Sequence, residues 1–344
     1  MKSVLIFGSG SIGNHMSYAC RKNGFEVYVT DNNLLALERM KRKIYPKRYG
    51  SWDNKITLIS NDELKNLDII FDLVIIGTPP NTHTKIYDYC KKRIRYKKIL
   101  IEKPISNYLE KNLTLFENKI KNDLVFCGYN HSISKSFEFF MTKFKKIKKI
   151  KKINVDWCES WDGILNAHFW MKTPFDSYLG DTKNGGGALQ EHSHGLHILL
   201  LLLKELNIDL NSINIKKNII FESNRNKKYD IFSNFFGYFK NIYFNYNTDL
   251  YTNPAEKKIK VETEKEKLEW ICNYQKNLDL VKITDKRKIF KKTFKKTRSS
   301  EFENEIKHII KIKNLSEKNK SNLNPKYAIN TLRLIKKIFN NEIR

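Results

Sequence analysis

Long apolar runs are missing from this 344-residue chain. The longest, Leu196 to Leu203, is interrupted by His197 and is too short to cross a bilayer, so no membrane partner is expected. Cysteine is scarce too. Its five copies, at 20, 90, 127, 158 and 272, form no CxxC pair and no even-numbered framework, which excludes a disulfide scaffold and leaves no metal site indicated. The start of the chain lacks the charged, apolar and small-residue regions of a secretory leader, and with this cysteine usage a reducing cytoplasm is the expected compartment. Acidic residues are also short, 37 Asp and Glu against 64 Lys and Arg, for a formal net charge of +27. Such a surplus raises the question of a nucleic-acid partner. Lys greatly outnumbers Arg, however, and the basic residues are spread along the chain. The run Lys145, Lys146, Lys148, Lys149, Lys151 and Lys152 reads as a solvated face, so no specific nucleic-acid partner is expected.

What is present suffices for packed cores: 40% of residues are hydrophobic and 12% aromatic. The length exceeds what one core usually serves, so two domains are expected. From Ser3 to about Gly128, short apolar runs alternate with helical patterns, as βαβ units do. Strands are expected at Ser3 to Phe7, Phe25 to Val29, Ile56 to Ile59, Leu73 to Ile76, Lys98 to Ile101 and Leu124 to Cys127, with a loop from Tyr45 to Asn54. The pattern then changes. A helix is expected from about Ser132 to Phe144, a strand around Ile153 to Cys158, an irregular aromatic segment to Gly187, and an apolar helix from about Ala188 to Leu203. Asp230 to Tyr246, Lys257 to Glu262 and Leu268 to Tyr274 read as strands of an antiparallel sheet. Helices near Glu301 to Ile312 and Lys326 to Phe339 close the chain. The expected fold is α/β, with a doubly wound parallel sheet over 1–128 and, over 129–344, a second α/β domain built on a large, mainly antiparallel open sheet.

The opening VLIFGSGSIGNHM sets Gly8, Gly10 and Gly13, with Ser11 and Ile12 between them, in a G-x-G-x-x-G between a strand and a helix. That spacing serves a tight turn, close backbone approach to a pyrophosphate, and close packing of helix on strand. Asp31 follows at the end of the second strand, 18 residues after Gly13, where a carboxylate can hold the ribose hydroxyls of NAD. The first domain therefore reads as a Rossmann domain that binds NAD.

From here the chain resembles the Gfo/Idh/MocA oxidoreductases over nearly its whole length. The segment Gly77-Thr78-Pro79-Pro80-Asn81-Thr82-His83 is similar to that family's cofactor loop, and Glu102-Lys103-Pro104 to its EKP signature. Gly128-Tyr129-Asn130 resembles the segment that opens the catalytic domain, Gly185-Gly186-Gly187 begins a His-bearing helix, and EFENEIKHIIKIKN with YAINTLRLIKKI resembles the final helices. The resemblance implies cofactor contacts at Thr78, Pro79, Pro80, His83, Glu102 and Lys103, and substrate contacts at Lys103 and Asn130. It also implies subunit contacts through the open sheet, as a homodimer or homotetramer.

Oxidising a secondary alcohol requires a group that takes the hydroxyl proton. Lys103 suits this role, at the carboxyl end of a sheet strand where open α/β sheets bind ligands. On the downstream helix, Gln190, His194 and His197 fall on one face at 100° per residue, with Glu191 about 60° from His194. The resemblance favours His194 as the histidine that hydrogen-bonds the reacting oxygen. Members of the family carry Asp near this His where the present chain has Gln190, Glu191 or His197, so any of the three can be its partner. Glu191 is taken with Lys103 and His194 as the catalytic set, and Gln190 and His197 as substrate-side residues. A structural role suits His197 equally well among its apolar neighbours. Trp157, Trp161, His168, Trp170 and Tyr178 can stack on a sugar ring, with Trp170 the expected contact, although aromatics also serve as core. No Arg occurs between Arg95 and Arg225, which leans against a phosphorylated or nucleotide-linked substrate. The expected activity is NAD-dependent hydride transfer at a secondary hydroxyl or keto carbon of a sugar, cyclitol or sugar acid. The alternative is a relative without catalysis that serves as an NAD sensor or partner-binding protein.

Overall fold

The computed structural model describes residues 2–208, 214–224, 226–286 and 288–340. Two compact units are present. The first runs to Ser106 and adds Glu110–Asn130 and Arg298–Lys326; the second holds Asn107–Leu109, His131–Thr297 and the chain from Tyr327 onward. The expected division at residue 128 thus meets a chain that returns to its first unit near its end.

In the first unit the chain runs β1 (Ser3–Phe7), α1 (Ser11–Lys22), β2 (Glu26–Thr30) and α2 (Leu34–Arg39). A π-helical stretch, Met40–Ile44, leads into α3 (Tyr45–Tyr49), then β3 (Ile56–Ile59), α4 (Asn61–Lys65), β4 (Leu73–Ile76), α5 (His83–Arg93), β5 (Ile99–Ile101), α6 (Leu113–Ile120) and β6 (Val125–Cys127). The six strands pair in parallel in the order β3-β2-β1-β4-β5-β6, the doubly wound arrangement. Every residue of β1, β4, β5 and β6 is buried, which is why they read as unbroken apolar runs rather than alternating ones. The expected loop at Tyr45 to Asn54 instead begins as helix. Pro46 occupies the first turn of α3, where no N–H is needed, and Gly50 ends it with φ +89°.

The second unit contains α7 (Lys135–Phe144), β7 (Lys152–Cys158), α8 (Trp161–Ala167), α9 (Ala188–Glu191) and α10 (Ser193–Glu205). Seven strands follow: β8 (Asn214–Asn224), β9 (Lys227–Phe239), β10 (Ile242–Asp249), β11 (Glu256–Glu262), β12 (Glu266–Gln275), β13 (Leu278–Asp285) and β14 (Ile289–Lys295). Their eight-stranded sheet has the order β8-β9-β10-β7-β11-β12-β13-β14, antiparallel except for the parallel pair β7 and β10. Ile153, Val155 and Trp157 alternate inward along β7 and meet a core with Trp270, Phe137 and Phe140. Outward residues form polar ladders, with Asn234 Nδ2 2.8 Å from Asn245 Oδ1 and Asn247 Nδ2 2.8 Å from Asp156 Oδ1. The chain closes with α11 (Arg298–Lys311) and α12 (Leu315–Lys320) in the first unit, then α13 (Pro325–Phe339).

Three lysines end helices. Lys98 Nζ donates to Ile309 O and Ile310 O at 3.0 and 2.8 Å, closing α11, and Lys318 Nζ donates to Lys121 O and Asp123 O at 2.7 Å beyond α6. Lys217 Nζ reaches Ile338 O and Asn340 O at 2.6 and 2.7 Å at the end of α13. A cation on the terminal carbonyls satisfies groups the helix leaves open, so part of the basic surplus has structural work. Among the described residues no helix is long and apolar enough to cross a membrane, and no cluster of His, Cys, Asp and Glu could hold a metal ion.

Candidate functional site

In the first unit the strand order reverses between β1 and β4, and the glycine loop sits there. A Cβ on Gly8, whose φ is +101°, would meet Gly77 O at 2.8 Å, so the ends of β1 and β4 touch through backbone. A Cβ on Gly13 would stand 2.0 Å from Gly8 O, so α1 can lie this close to β1 only without a side chain. A Cβ on Gly10 would meet nothing within 4 Å, which leaves the crest of the loop open above the N-terminus of α1. Ser11 and Ile12, the first residues of that helix, are half-buried beside it. This geometry suits a dinucleotide phosphate, which binds such N–H groups. Asp31 is brought to the same loop: its Oδ2 accepts from Ser9 N and Ser9 Oγ, each at 2.8 Å, and its Oδ1 accepts from Asn33 N at 2.9 Å. A carboxylate has about four acceptor sites, so Asp31 keeps room for about one ribose hydroxyl rather than two.

Thr78 and Pro79 lie exposed or half-exposed after β4, whereas Pro80 and His83 are buried. His83 Nε2 faces Thr78 O at 2.7 Å and Nδ1 faces Pro104 O at 3.1 Å, so this side chain ties the loop to the segment after β5 instead of presenting itself to a ligand. Burial pushes its imidazole down to about 4, and as a neutral ring it donates to only one of the two carbonyls. Lys103 is half-buried at the end of β5, with a cis bond to Pro104, and its backbone N donates to Glu102 Oε2 at 3.2 Å. Glu102 itself is 5% exposed. Near it Glu305, on the apolar face of α11, is fully buried with no hydrogen-bond partner for either carboxyl oxygen among the described residues. Burial first, and the Glu102 charge second, hold Glu305 well above the usual carboxylate range. Asn130 is 6% exposed, and its Oδ1 has no partner among the described residues, the kind of buried acceptor that a ligand hydroxyl satisfies.

In the second unit the His-bearing helix is two helices. His192, with φ −93° and ψ 19°, breaks it between α9 and α10, so one 100° wheel cannot place Gln190 with His194 and His197. Burial separates them instead. Glu191 and His194 are half-exposed, while Gln190 and His197 are shut in. Gln190 Nε2 donates to Thr182 O and Gly186 O at 2.8 and 2.9 Å, and its Oε1 accepts from Tyr108 N at 3.2 Å. His197 Nδ1 lies 3.3 Å from Thr331 Oγ1 on α13. The sequence expectation put both on the substrate side; their burial makes them fastenings of the helix pair. Of the aromatic group, Trp157 is core, Trp161 and Tyr178 pack against a cluster of Ile164, Leu179, Ala188, Tyr229 and Leu250, and Trp170 and His168 remain half-exposed with ring centroids 5.3 Å apart.

The whole chain has the fold of solved oxidoreductases. A 3-ketoreductase from Actinomadura kijaniata, solved with NADP and TDP-benzene, superposes with a TM-score of 0.70 at 11% identity, over 98% of this chain and 97% of that one. UDP-N-acetylglucosamine 3-dehydrogenase from Acidithiobacillus ferrooxidans gives 0.68 at 11% identity, over 98% and 96%. No family model matches the chain, and no curated protein matches it by sequence.

Sequence reasoning missed His131. Its ring stands edge-on to His194 at 4.6 Å and to Trp157 at 5.4 Å, with Cys272 Sγ 3.9 Å from its Nδ1, so it forms one wall beside the half-exposed histidine. Asp230 was missed as well. Its carboxylate braces the head of α9, accepting from Leu189 N and Ser233 Oγ at 2.8 Å, and a Cβ on Gly187 would collide with it at 2.0 Å. Burial pushes Asp230 up to about 7 from its ordinary 3.8. An acid raised on folding adds stability that is full below its unfolded value and is lost as pH rises through the folded one. Between pH 6 and 8 the unfolding free energy should therefore fall by about 1.4 kcal/mol through this group. Urea unfolding of wild type and Asp230→Asn checks this: the variant should lose that part of the slope, and an equal slope in both would refute it.

Proposed function

We propose that the protein is a nicotinamide-dependent oxidoreductase acting on a secondary hydroxyl or keto carbon of a sugar, cyclitol or sugar acid. The observation that carries the reading is in the first unit: a glycine cradle at the reversal of a doubly wound sheet, with Glu102-Lys103-Pro104 ending the second strand along from it. When bound, the nicotinamide supplies the two-electron acceptor or donor. Lys103 takes the hydroxyl proton in oxidation and returns it in reduction, Asn130 accepts a substrate hydroxyl, and His194 with Glu191 orients the reacting oxygen. Among the aromatic residues, half-exposed Trp170, beside His168, is the proposed contact with a sugar face. The two solved relatives with nucleotide-linked ligands or substrates support placing nucleotide sugars first among candidates, despite the missing arginines. A screen of nucleotide sugars, free sugars, inositols and sugar acids, read by nicotinamide absorbance, tests the reading. No turnover with any class, alongside normal dinucleotide binding, would favour the sensor alternative. Self-association through the large sheet belongs to the same reading, with exposed Tyr238 and Tyr251 at its surface, and sedimentation would reveal it.

NAD is the proposed coenzyme rather than NADP. Asp31 would face a 2′-phosphate with like charge, and Asn32 and Asn33 bring no cation. Fluorescence titration should show NADH bound at least tenfold more tightly than NADPH, and Asp31→Ser should narrow the gap; equal affinities in the wild type would refute this.

A further inference from the structure

We infer that Glu305 is a positioning residue: its carboxyl O–H donates to Glu102, so that the two buried acids share one proton and keep a single negative charge behind Lys103. The inference rests on the proposed proton-accepting role of Lys103. All the groups involved belong to the first unit. Lys98, just ahead of β5, holds the last carbonyls of α11, and Phe302 near the head of that helix stacks on His15 of α1 with centroids 4.9 Å apart. These two contacts lay α11 along the sheet, with Glu305 between them and turned inward with Phe302, Ile306 and Ile309.

What Glu305 meets there is another acid. It is fully buried, and neither of its carboxyl oxygens has a hydrogen-bond partner among the described residues. The charge of Glu102, itself buried, reaches it. The backbone after β6 closes over Glu102 so tightly that a Cβ on Gly128 would stand 2.9 Å from both of its carboxyl oxygens. The other charged groups that reach Glu305 are Arg298 and Glu301 on its own helix, and these pair with each other at 3.4 Å. The Cys127 thiol on β6 lies within reach of Glu102, Glu305 and Lys103 together, and its burial keeps it neutral. Two facing carboxylates can only accept and would repel each other, whereas one proton between them turns one into a donor. With no cation paired to Glu305, the doubly ionised state is the costly one. The single charge then rests on Glu102, whose Oε2 accepts from Lys103 N at 3.2 Å and so holds the backbone that presents the lysine. An acid that shares a proton with a second acid keeps its charge to lower pH than a lone buried acid does.

The test follows kcat against pH, on the substrate found by screening, for wild type, Glu305→Gln and Glu305→Met, beside infrared spectra of each protein at neutral pH. Glu305→Met keeps the length of the side chain and removes the shared proton. Glu102 is then a lone buried acid that takes up a proton as pH falls, so the acid limb of kcat should move up by about one pH unit or more. Glu305→Gln supplies an N–H in place of the O–H and should restore the wild-type limb. A merely structural Glu305 predicts an equal loss at every pH in Glu305→Met, and that result overturns the inference. In the infrared, wild type should show the C=O stretch of a protonated carboxylic acid that Glu305→Gln lacks. Identical spectra in that region overturn the inference independently of turnover. Should Glu305→Met fail to fold, this band decides. A wild type with the band but no turnover of any screened substrate fails the functional reading, and with it the positioning role, and leaves the shared proton standing.

Discussion

Lys103→Met should remove turnover while leaving the fold and dinucleotide affinity nearly intact. Met reproduces the length of the lysine stem without its amine, and Lys103 is half-buried, so packing changes little. Its backbone N keeps its bond to Glu102, since that contact does not involve the side chain. What disappears is the group proposed to accept the substrate proton. General acid-base catalysis contributes about 10²- to 10⁴-fold, and loss of a positioning hydrogen bond adds to it, so kcat should fall by at least about a hundredfold. His194→Asn should be milder, because an amide still hydrogen-bonds the substrate oxygen but cannot relay a proton. The measurement is kcat on the substrate found by screening, with dinucleotide affinity titrated separately for each variant. More than about a tenth of wild-type kcat in Lys103→Met would remove it from the proton-transfer role and pass that role to His194 or Glu191.

The parts of the molecule legible in the sequence are those whose residues are determined by burial on both faces. Strands such as Leu73–Ile76 are apolar throughout because helices cover both faces of a parallel sheet, and the structure ends them within a residue or so of the expected places. Edge strands carry no such mark. Of the strands missed in the second unit, Asn214–Asn224 and Ile289–Lys295 are the two edges of the sheet, and the latter is exposed along almost its whole length with lysines at 291, 292 and 295. Lysine on an edge blocks pairing with another chain, and so erases the alternation that would betray a strand. The adjacent Leu278–Asp285 was missed as well. Tyr45–Tyr49 was hidden differently, since Pro46 and Gly50 bracket a short helix with loop-like residues.

The site divides the same way. Gly8, Gly13 and Lys103 are readable because each depends on a local turn or strand end. Gln190 and His197 could be sorted from His194 only by burial, which a helical wheel misjudges once His192 breaks the helix. His131 acquires its place through contact with His194, far along the chain, and no local pattern announces it. Glu305 did leave a signal: an acid among Phe302, Ile306 and Ile309 interrupts an otherwise apolar helix face.

Gly13→Ala should cost both the stability of the first unit and its affinity for dinucleotides, and Gly10→Ala should cost affinity alone. At Gly13 the new methyl would lie 2.0 Å from Gly8 O and 3.0 Å from Gly8 C, both backbone atoms with no rotamer to yield. Nor can Gly8 withdraw cheaply. Its N donates to Thr30 O at 2.8 Å, and its neighbour Ser9 is bonded to Asp31 twice. The strain therefore falls on α1, which has to lift from the sheet against its packing on α11. Forced overpacking costs about 1–3 kcal/mol or more, and lifting the helix moves the N–H groups proposed to hold a phosphate, so affinity should drop by about a hundredfold or more. Gly10 has an ordinary φ of −72° and empty space where its Cβ would go, so alanine there folds without strain. That space is where the pyrophosphate is proposed to lie. Gly10→Ala should then unfold at the wild-type temperature while binding NADH about tenfold or more weakly, the methyl holding the phosphate off the backbone. Wild-type affinity in Gly10→Ala would move the phosphate away from this loop, and wild-type stability in Gly13→Ala would show that α1 and β1 need not touch.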